Sequence, residues 1–183
     1  DLVLDQNVKT KNFYLWEMTN KWKFTRNYGR GQYRTDQARY YKAEKDFKVD
    51  LNGDGTIGYK LKNIESKGNK KLFQDNINGF HVRDEKGAVH EIIRGGKKVK
   101  GNATWQLKAA ERVRGFDLVL DQNVKTKNFY LWEMTNKWKF TRNYGRGQYR
   151  TDQARYYKAE KDFQVDLNGD GTIGYKLKNI ESK

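Results

Sequence analysis

Between Lys71 and Ile93 the stretch KLFQDNINGFHVRDEKGAVHEII alternates apolar and polar residues between two turn signals, Asn78-Gly79 and Lys86-Gly87. A period of two over short runs predicts a meander of short strands, with Leu72, Phe80, Val82, Val89 and Ile92 facing inward. Beyond a basic turn at Gly95 and Gly96, ATWQLKAAERV fits a strand or a short helix, and FDLVLDQNVKTKNFYLWEM fits a hairpin that turns in the polar stretch Asn123 to Asn128. KWKFT then continues the sheet, with Trp138 and Phe140 on one face and Lys137 and Lys139 on the other, so the tryptophans are expected in the core. RNYGRGQYR reads as a loose connection. TDQARYYKAEKDF reads as a helix capped by Thr151 or Asp152, with Ala154, Tyr157 and Glu160 on one side. The β-branched pair in TIG then calls for a short extended segment, giving helix, loop and strand in order. The expected class is α+β: a mostly antiparallel β meander with one helix leading into a calcium-type loop.

An internal repeat organises the chain. Residues Asp1 to Lys67 return as Asp117 to Lys183, 116 positions later, with one difference: Lys48 becomes Gln164. The segment Gly68 to Phe116 occurs once. The pattern is that of a window on a tandem array with a period of 116 residues. The expected organisation is the C-terminal portion of an incomplete module over 1–63, a complete module over 64–179, and the start of the next at 180–183. Two near-identical copies favour a structural or multivalent role over catalysis. Sharing of strands between neighbouring repeats or molecules, as a fibre or a strand-exchanged dimer, follows as an expectation.

The loop DLNGDGTIG occurs at Asp50 to Gly58 and at Asp166 to Gly174. In a D-x-N-x-D-G loop, positions one, three and five offer side-chain oxygens, the sixth is Gly for a sharp turn, and the seventh offers its carbonyl. The candidate ligands of Ca2+ are therefore Asp50, Asn52, Asp54 and Thr56, with Asp166, Asn168, Asp170 and Thr172 in the second copy. The twelfth position, where such loops carry a bidentate Glu, is Leu61, so the remaining ligand falls to Glu44 or Asp46, Glu160 or Asp162, or water. Ile57 is expected to anchor the loop in the core.

Trp105, Ala110, Glu111, Phe129, Trp132, Glu160, Phe163 and the terminal Asp166 to Gly174 follow one another in a recognisable order. This order resembles the tryptophan-rich repeat of large secreted bacterial proteins, typified by cyanobacterial sequences. Phe129 fills the slot three before Trp132, with Tyr130 two before it. IESKGNKKLFQDNINGFHV resembles the link that opens each module, which sets the boundaries near Ile64 and Ile180. The resemblance implies an extracellular or cell-surface location as part of a longer chain, calcium in the terminal loop, and no established enzymatic activity, so an enzyme is not expected. Relatives of this kind tend to be acidic or neutral, whereas this chain has 38 Lys and Arg against 23 Asp and Glu, a net charge of +15.

That charge gives a second candidate surface. In KWKFTRNYGRGQYR, Arg26, Tyr28, Arg30, Tyr33 and Arg34, with Arg142, Tyr144, Arg146, Tyr149 and Arg150 in the other copy, interleave cations with aromatic planes. Such a run can stack sugars or bases, or it can be a strand whose Tyr residues pack while its cations are solvated. A basic surface attracts anionic polymers, so acidic polysaccharide is a candidate partner; no zinc-finger, RNP-like or helix-turn-helix signature marks a nucleic-acid module.

The chain has no Cys, which excludes disulfides and thiolate metal sites. No apolar run approaches the length of a membrane span, so no membrane insertion is expected. Its two His, His81 and His90, sit at strand positions, nothing sets the separation of acidic pairs such as Glu17 and Glu44, and no nucleophile elbow or phosphate loop is present. The expected function is a calcium-stabilised structural repeat of a surface adhesin, sheath or fibre. The alternative is a polyanion- or carbohydrate-binding module that uses the basic aromatic run.

Overall fold

The computed structural model describes residues 1–175; the expected start of a further module at 180–183 lies outside the described residues. The chain divides into two compact units, Asp1–Lys60 and Leu61–Lys183. As the alternation predicts, antiparallel sheet dominates, with one helix in each unit.

The first unit has three antiparallel strands in chain order, β1 (Leu2–Gln6), β2 (Phe13–Met18) and β3 (Phe24–Tyr33), followed by helix α1 (Ala38–Phe47). Phe13, Leu15 and Tyr33 from the sheet and Tyr40, Tyr41 and Ala43 from the helix are buried together with Leu51. Phe13 stacks on Tyr33 at 4.8 Å between ring centroids and meets Tyr40 at 5.0 Å.

The second unit opens with the meander β4 (Leu61–Glu65), β5 (Lys71–Asp75), β6 (Phe80–Arg83) and β7 (Val89–Glu91), then a small hairpin of β8 (Ile93–Arg94) and β9 (Lys97–Lys98). A second four-stranded sheet follows: β10 (Trp105–Val113), β11 (Phe116–Asn123), β12 (Phe129–Met134) and β13 (Phe140–Tyr149), and then helix α2 (Ala154–Phe163). Strand alternation makes this sheet two-sided. Val119, Trp132 and Leu107 face the meander residues Leu72, Phe80, Val82 and Ile92. Leu118, Leu120, Phe129 and Leu131 face Tyr156, Ala159 and Phe163 of α2. The unit is therefore three layers deep, with the β10–β13 sheet between meander and helix. A β-bulge between Leu107 and Ala109 absorbs Lys108 and turns Ala109 to the helix side.

Several expectations are corrected. Of the two readings of ATWQLKAAERV the strand holds, as β10. RNYGRGQYR is no loose connection: all but its last residue lies within strand β13, and a register shift sets Tyr149 against Phe129 and Tyr144 against Leu131. The glycines make that shift possible, Gly145 at φ 79° and Gly147 at φ 72°, in a region that disfavours side chains. Trp138 sits in a left-handed turn at φ 55° rather than in a strand, and it is buried by the meander and not by alternation. Trp22, its counterpart, is 64% exposed. Val89 lies outward on the last, edge strand of the meander. The helix N-cap is Gln153, since Thr151 and Asp152 are spent in the preceding turn, and the buried face is Tyr156, Ala159, Glu160 and Phe163 rather than one through Ala154. TIG is not extended strand, and Ile57 and Ile173 are exposed; Leu51 and Leu167, at the second loop position, are the buried anchors.

Candidate functional site: the helix-terminal acidic loops

Each acidic loop begins where its helix ends. Lys48 and Gln164, the one pair that differs between the copies, both occupy the left-handed C-cap, at φ 55° and 54°. Both side chains are exposed, so the exchange leaves the packing unaltered. The left-handed residue reverses the chain, after which Leu51 or Leu167 enters the core and the acidic positions follow.

Asp50 organises the first half of the loop. Its Oδ1 accepts the backbone N–H of Gly53 at 2.7 Å, and its Oδ2 accepts that of Gly55 at 2.8 Å. Asn52 Oδ1 accepts Asp54 N–H at 2.9 Å, and Asp54 Oδ1 accepts Thr56 N–H at 2.9 Å. The second copy repeats the set: Asp166 takes Gly169 and Gly171, Asn168 takes Asp170, and Asp170 takes Thr172. Desolvation pushes the Asp50 carboxyl up, but the backbone N–H groups of Gly55 and Gly53 outweigh it and hold the group below the usual carboxylate range.

The buried Glu at the helix end has a role that its sequence position did not reveal. Glu44 is fully buried; Oε1 accepts the N–H groups of Leu51 and Asn52 at 3.1 and 3.3 Å, and Oε2 accepts that of Gly58 at 2.9 Å. Glu160 binds Leu167, Asn168 and Gly174 in the same way, at 3.0, 3.4 and 2.9 Å. One carboxylate thus ties the beginning of the loop to its end. Burial pushes Glu44 up, against the opposing pull of those N–H groups. Asp46 and Asp162 are spent elsewhere, on Lys42 at 2.6 Å and Lys158 at 3.0 Å. A glutamine of the sheet completes the frame: Gln122 Nε2 donates to Leu167 O at 2.7 Å and to Lys127 O at 2.9 Å, as Gln6 does toward Leu51 and Lys11. The Tyr156 hydroxyl donates to the same Lys127 carbonyl at 3.2 Å.

The loop offers a divalent cation oxygen alone: two carboxylates, one amide and the Thr56 or Thr172 carbonyl. Such a set fits a hard, weakly held ion whose sphere is completed by water. Among the described residues no group of three or more His, Cys, Asp or Glu side chains converges as a metal site. The Glu carboxylate that sequence spacing offers as a further ligand has both its oxygens on backbone N–H groups.

The basic aromatic run is largely engaged within each unit. Arg26 pairs with Glu17 and Arg142 with Glu133, at 2.6 and 3.0 Å, and Arg34 and Arg150 pair with Asp36 and Asp152. Tyr33 and Tyr149 are buried under Arg39 and Arg155, and Tyr144 packs on Phe116, while Tyr28 and Arg146 are exposed. The side chain of Arg30 lies outside the described residues.

Helix, stapled loop and flanking aromatic strands recur as one block in both copies. The family model of the tryptophan-rich Synechocystis species C-terminal domain matches this block twice, over residues 2–58 and 70–174. The chain belongs to this family. Both matches to the tryptophan-rich domain end on the last glycine of an acidic loop, Gly58 and Gly174, whose N–H is the one held by the buried Glu. Comparison with curated proteins and with solved structures finds no match.

Proposed function

We propose that this tryptophan-rich domain is a calcium-stabilised structural repeat of a secreted bacterial surface protein, an adhesin, sheath or fibre, and not an enzyme. The observation that carries the reading is the duplication of the loop frame: the same Glu staple and the same Asp-to-Gly bonds in both copies. A device built twice with one geometry supports a mechanical role.

In this reading Asp50, Asn52, Asp54 and the Thr56 carbonyl, with Asp166, Asn168, Asp170 and Thr172, hold Ca2+. The bound ion supplies positive charge between two carboxylates that the loop brings close together. The protein's own part is to fix the loop ends through Glu44 and Glu160, so that little ordering is left for the cation to drive. With only two carboxylates among the ligands, affinity falls in the weak range found among extracellular modules, roughly 10⁻⁴ to 10⁻³ M.

The repeat also associates with its like. The outer edge of β1 has no strand partner among the described residues, whereas β11, which carries the same sequence, is paired there by β10. Trp22 and Phe24 are 64% and 56% exposed, and their counterparts Trp138 and Phe140 pack against the meander cluster. A meander and edge strand from an equivalent module would cover both features, by the strand addition that open sheet edges invite.

Melting of the chain in chelator and in millimolar calcium tests the first part. An increase of several degrees with calcium, lost in Asp166→Ala together with Asp50→Ala, is expected; an unchanged melting point together with no bound calcium on metal analysis would reject a structural ion.

A further inference from the structure

A cavity of about 560 Å3 lies on the meander side of the β10–β13 sheet, away from the acidic loops. Its floor is set by strand register. Asp121 and Tyr130 are cross-strand partners, Trp132 is paired with Asn143, and Leu107 faces Asp121 from the other side, so all of them share one face. Trp105 extends that face and packs beside Tyr130, with ring centroids 5.6 Å apart and planes tilted by 37°. The roof is the β8–β9 hairpin with Val99 and Lys100, fastened to the sheet by Ile93 N–H donating to Trp138 O at 3.0 Å. The guanidinium of Arg94 closes one end, 4.6 Å above the ring of Trp132.

Asp121 stands out within this enclosure. It is 9% exposed and lines the cavity, and no hydrogen bond or ion pair ties its carboxylate to another side chain among the described residues. Burial pushes it up to about 6, with the charge of Arg94 only partly opposing. A largely buried carboxylate that faces a cavity with no hydrogen-bonding side chain costs stability and suits a site where a ligand supplies the donors. Asp5, which has the same sequence context in the first unit, is exposed.

We propose that this cavity binds a uronic acid unit of an acidic polysaccharide. Trp105 and Tyr130 present a continuous ring shelf to the C–H face of the sugar, Asp121 and Asn143 accept and donate to its hydroxyls, and the rim ammonium groups of Lys97 and Lys100 meet its carboxylate. The volume falls within the range of small-ligand sites, about 300–1,000 Å3. The order of charges favours a sugar over a nucleotide: an acceptor-only carboxylate on the floor calls for several hydroxyl donors, and Arg94 at one end with Lys97 and Lys100 at the rim makes no continuous cationic track. Single-stranded nucleic acid stacks on aromatics along a cationic track, and a carboxylate beneath the shelf opposes it. The site makes no use of the acidic loops and goes beyond the structural role proposed for them.

The test is titration of the full chain with trigalacturonate, with a neutral galactose trisaccharide and with a short oligothymidylate, followed by calorimetry and by tryptophan fluorescence at low salt. Saturable binding of trigalacturonate is expected, with the neutral sugar bound at least about tenfold more weakly, a difference of about 1.4 kcal/mol. Asp121→Asn, whose folding is checked by melting, weakens binding at least tenfold, and Asn143→Ala weakens it in the same direction, while Asp5→Asn leaves it unaltered. The proposal is overturned by absence of saturation at about 10 mM, by equal binding of the neutral sugar, by binding indifferent to Asp121→Asn, or by oligothymidylate competing for the same residues more tightly than the sugar.

Discussion

The carboxylate of Glu160 reaches fourteen residues along the chain to accept the N–H of Gly174 at 2.9 Å, while its other oxygen holds Leu167 at 3.0 Å. Glu160→Ala leaves three backbone donors without their acceptor, each worth about 1–3 kcal/mol when buried. The expected loss is at least 3 kcal/mol, roughly, with Glu160→Gln losing less because one acceptor oxygen remains. Amide exchange discriminates this from a general loss of packing: Leu167, Asn168 and Gly174 lose protection first. Unaltered exchange at those three amides in a folded Glu160→Ala variant would show that the staple carries no stability.

How far the sequence exposes this arrangement depends on the range of the interaction. The meander was legible because Leu72, Phe80 and Val82 alternate with polar residues, and alternation is a local property. The acidic loop was legible as a motif, since its Asp-to-Gly hydrogen bonds join residues within five positions. Glu160 could be named as a candidate but not given its function, because its partners lie beyond a left-handed turn. Trp138 was expected inside for a strand alternation it does not have; the meander, more than 40 residues upstream, buries it. The cavity was not legible at all, for it requires the β8–β9 hairpin to fold over strands whose register no local pattern fixes.

Asp75 is an electrostatic anchor of the meander. Its Oδ2 lies 2.8 Å from His81 Nε2 and 2.7 Å from Lys98 Nζ, and its Oδ1 accepts the N–H of Gly79 at 2.7 Å. Desolvation raises this group, but His81 and Lys98 overcome it and hold the carboxyl at about 2. Since the folded value lies below the unfolded one, the contribution is full above about pH 4 and is lost as the pH falls toward 2. Asp75→Asn is expected to cost about 2–4 kcal/mol at pH 7, and the gap from the parent narrows below pH 4. Parallel urea denaturation of both proteins between pH 3 and pH 7 measures it; a gap independent of pH would remove Asp75 as the titrating group.

Asp121 has the opposite sign. Burial raises its carboxyl to about 6, above the unfolded value, so ionisation weakens the fold as the pH rises through about 4 to 6. Asp121→Asn is accordingly expected to stabilise the protein by about 1–3 kcal/mol at pH 7.5 and to have little effect below pH 4. The charged groups that line the cavity with it are Arg94, Lys97, Lys98 and Lys100, of which Lys98 is engaged by Asp75. Destabilisation by Asp121→Asn at pH 7.5 would contradict a carboxylate without a partner.

Trp22 and Trp138 test the effect of the missing cover on a single residue type. They lie in the same sequence context with the same left-handed backbone, φ 56° and 55°, yet one is 64% and the other 2% exposed. Trp138→Ala opens a cavity beneath the β8–β9 hairpin and is expected to cost about 3–5 kcal/mol, whereas Trp22→Ala in the dilute chain is expected to cost no more than about 0.5 kcal/mol. If an equivalent module covers Trp22 on association, sedimentation at rising concentration separates the two further: the parent chain self-associates, Trp22→Ala shifts that equilibrium toward monomer at least about tenfold, and acrylamide quenching of Trp22 falls as complexes form. A parent chain that stays monomeric at high concentration, or a Trp22→Ala variant that associates as the parent does, would leave the open β1 edge and its exposed tryptophan without the proposed partner. Because the substitution lies on an exposed turn and spares the Phe13, Tyr33 and Tyr40 cluster, a weakened assembly could be read as loss of the contact itself and not of the fold beneath it.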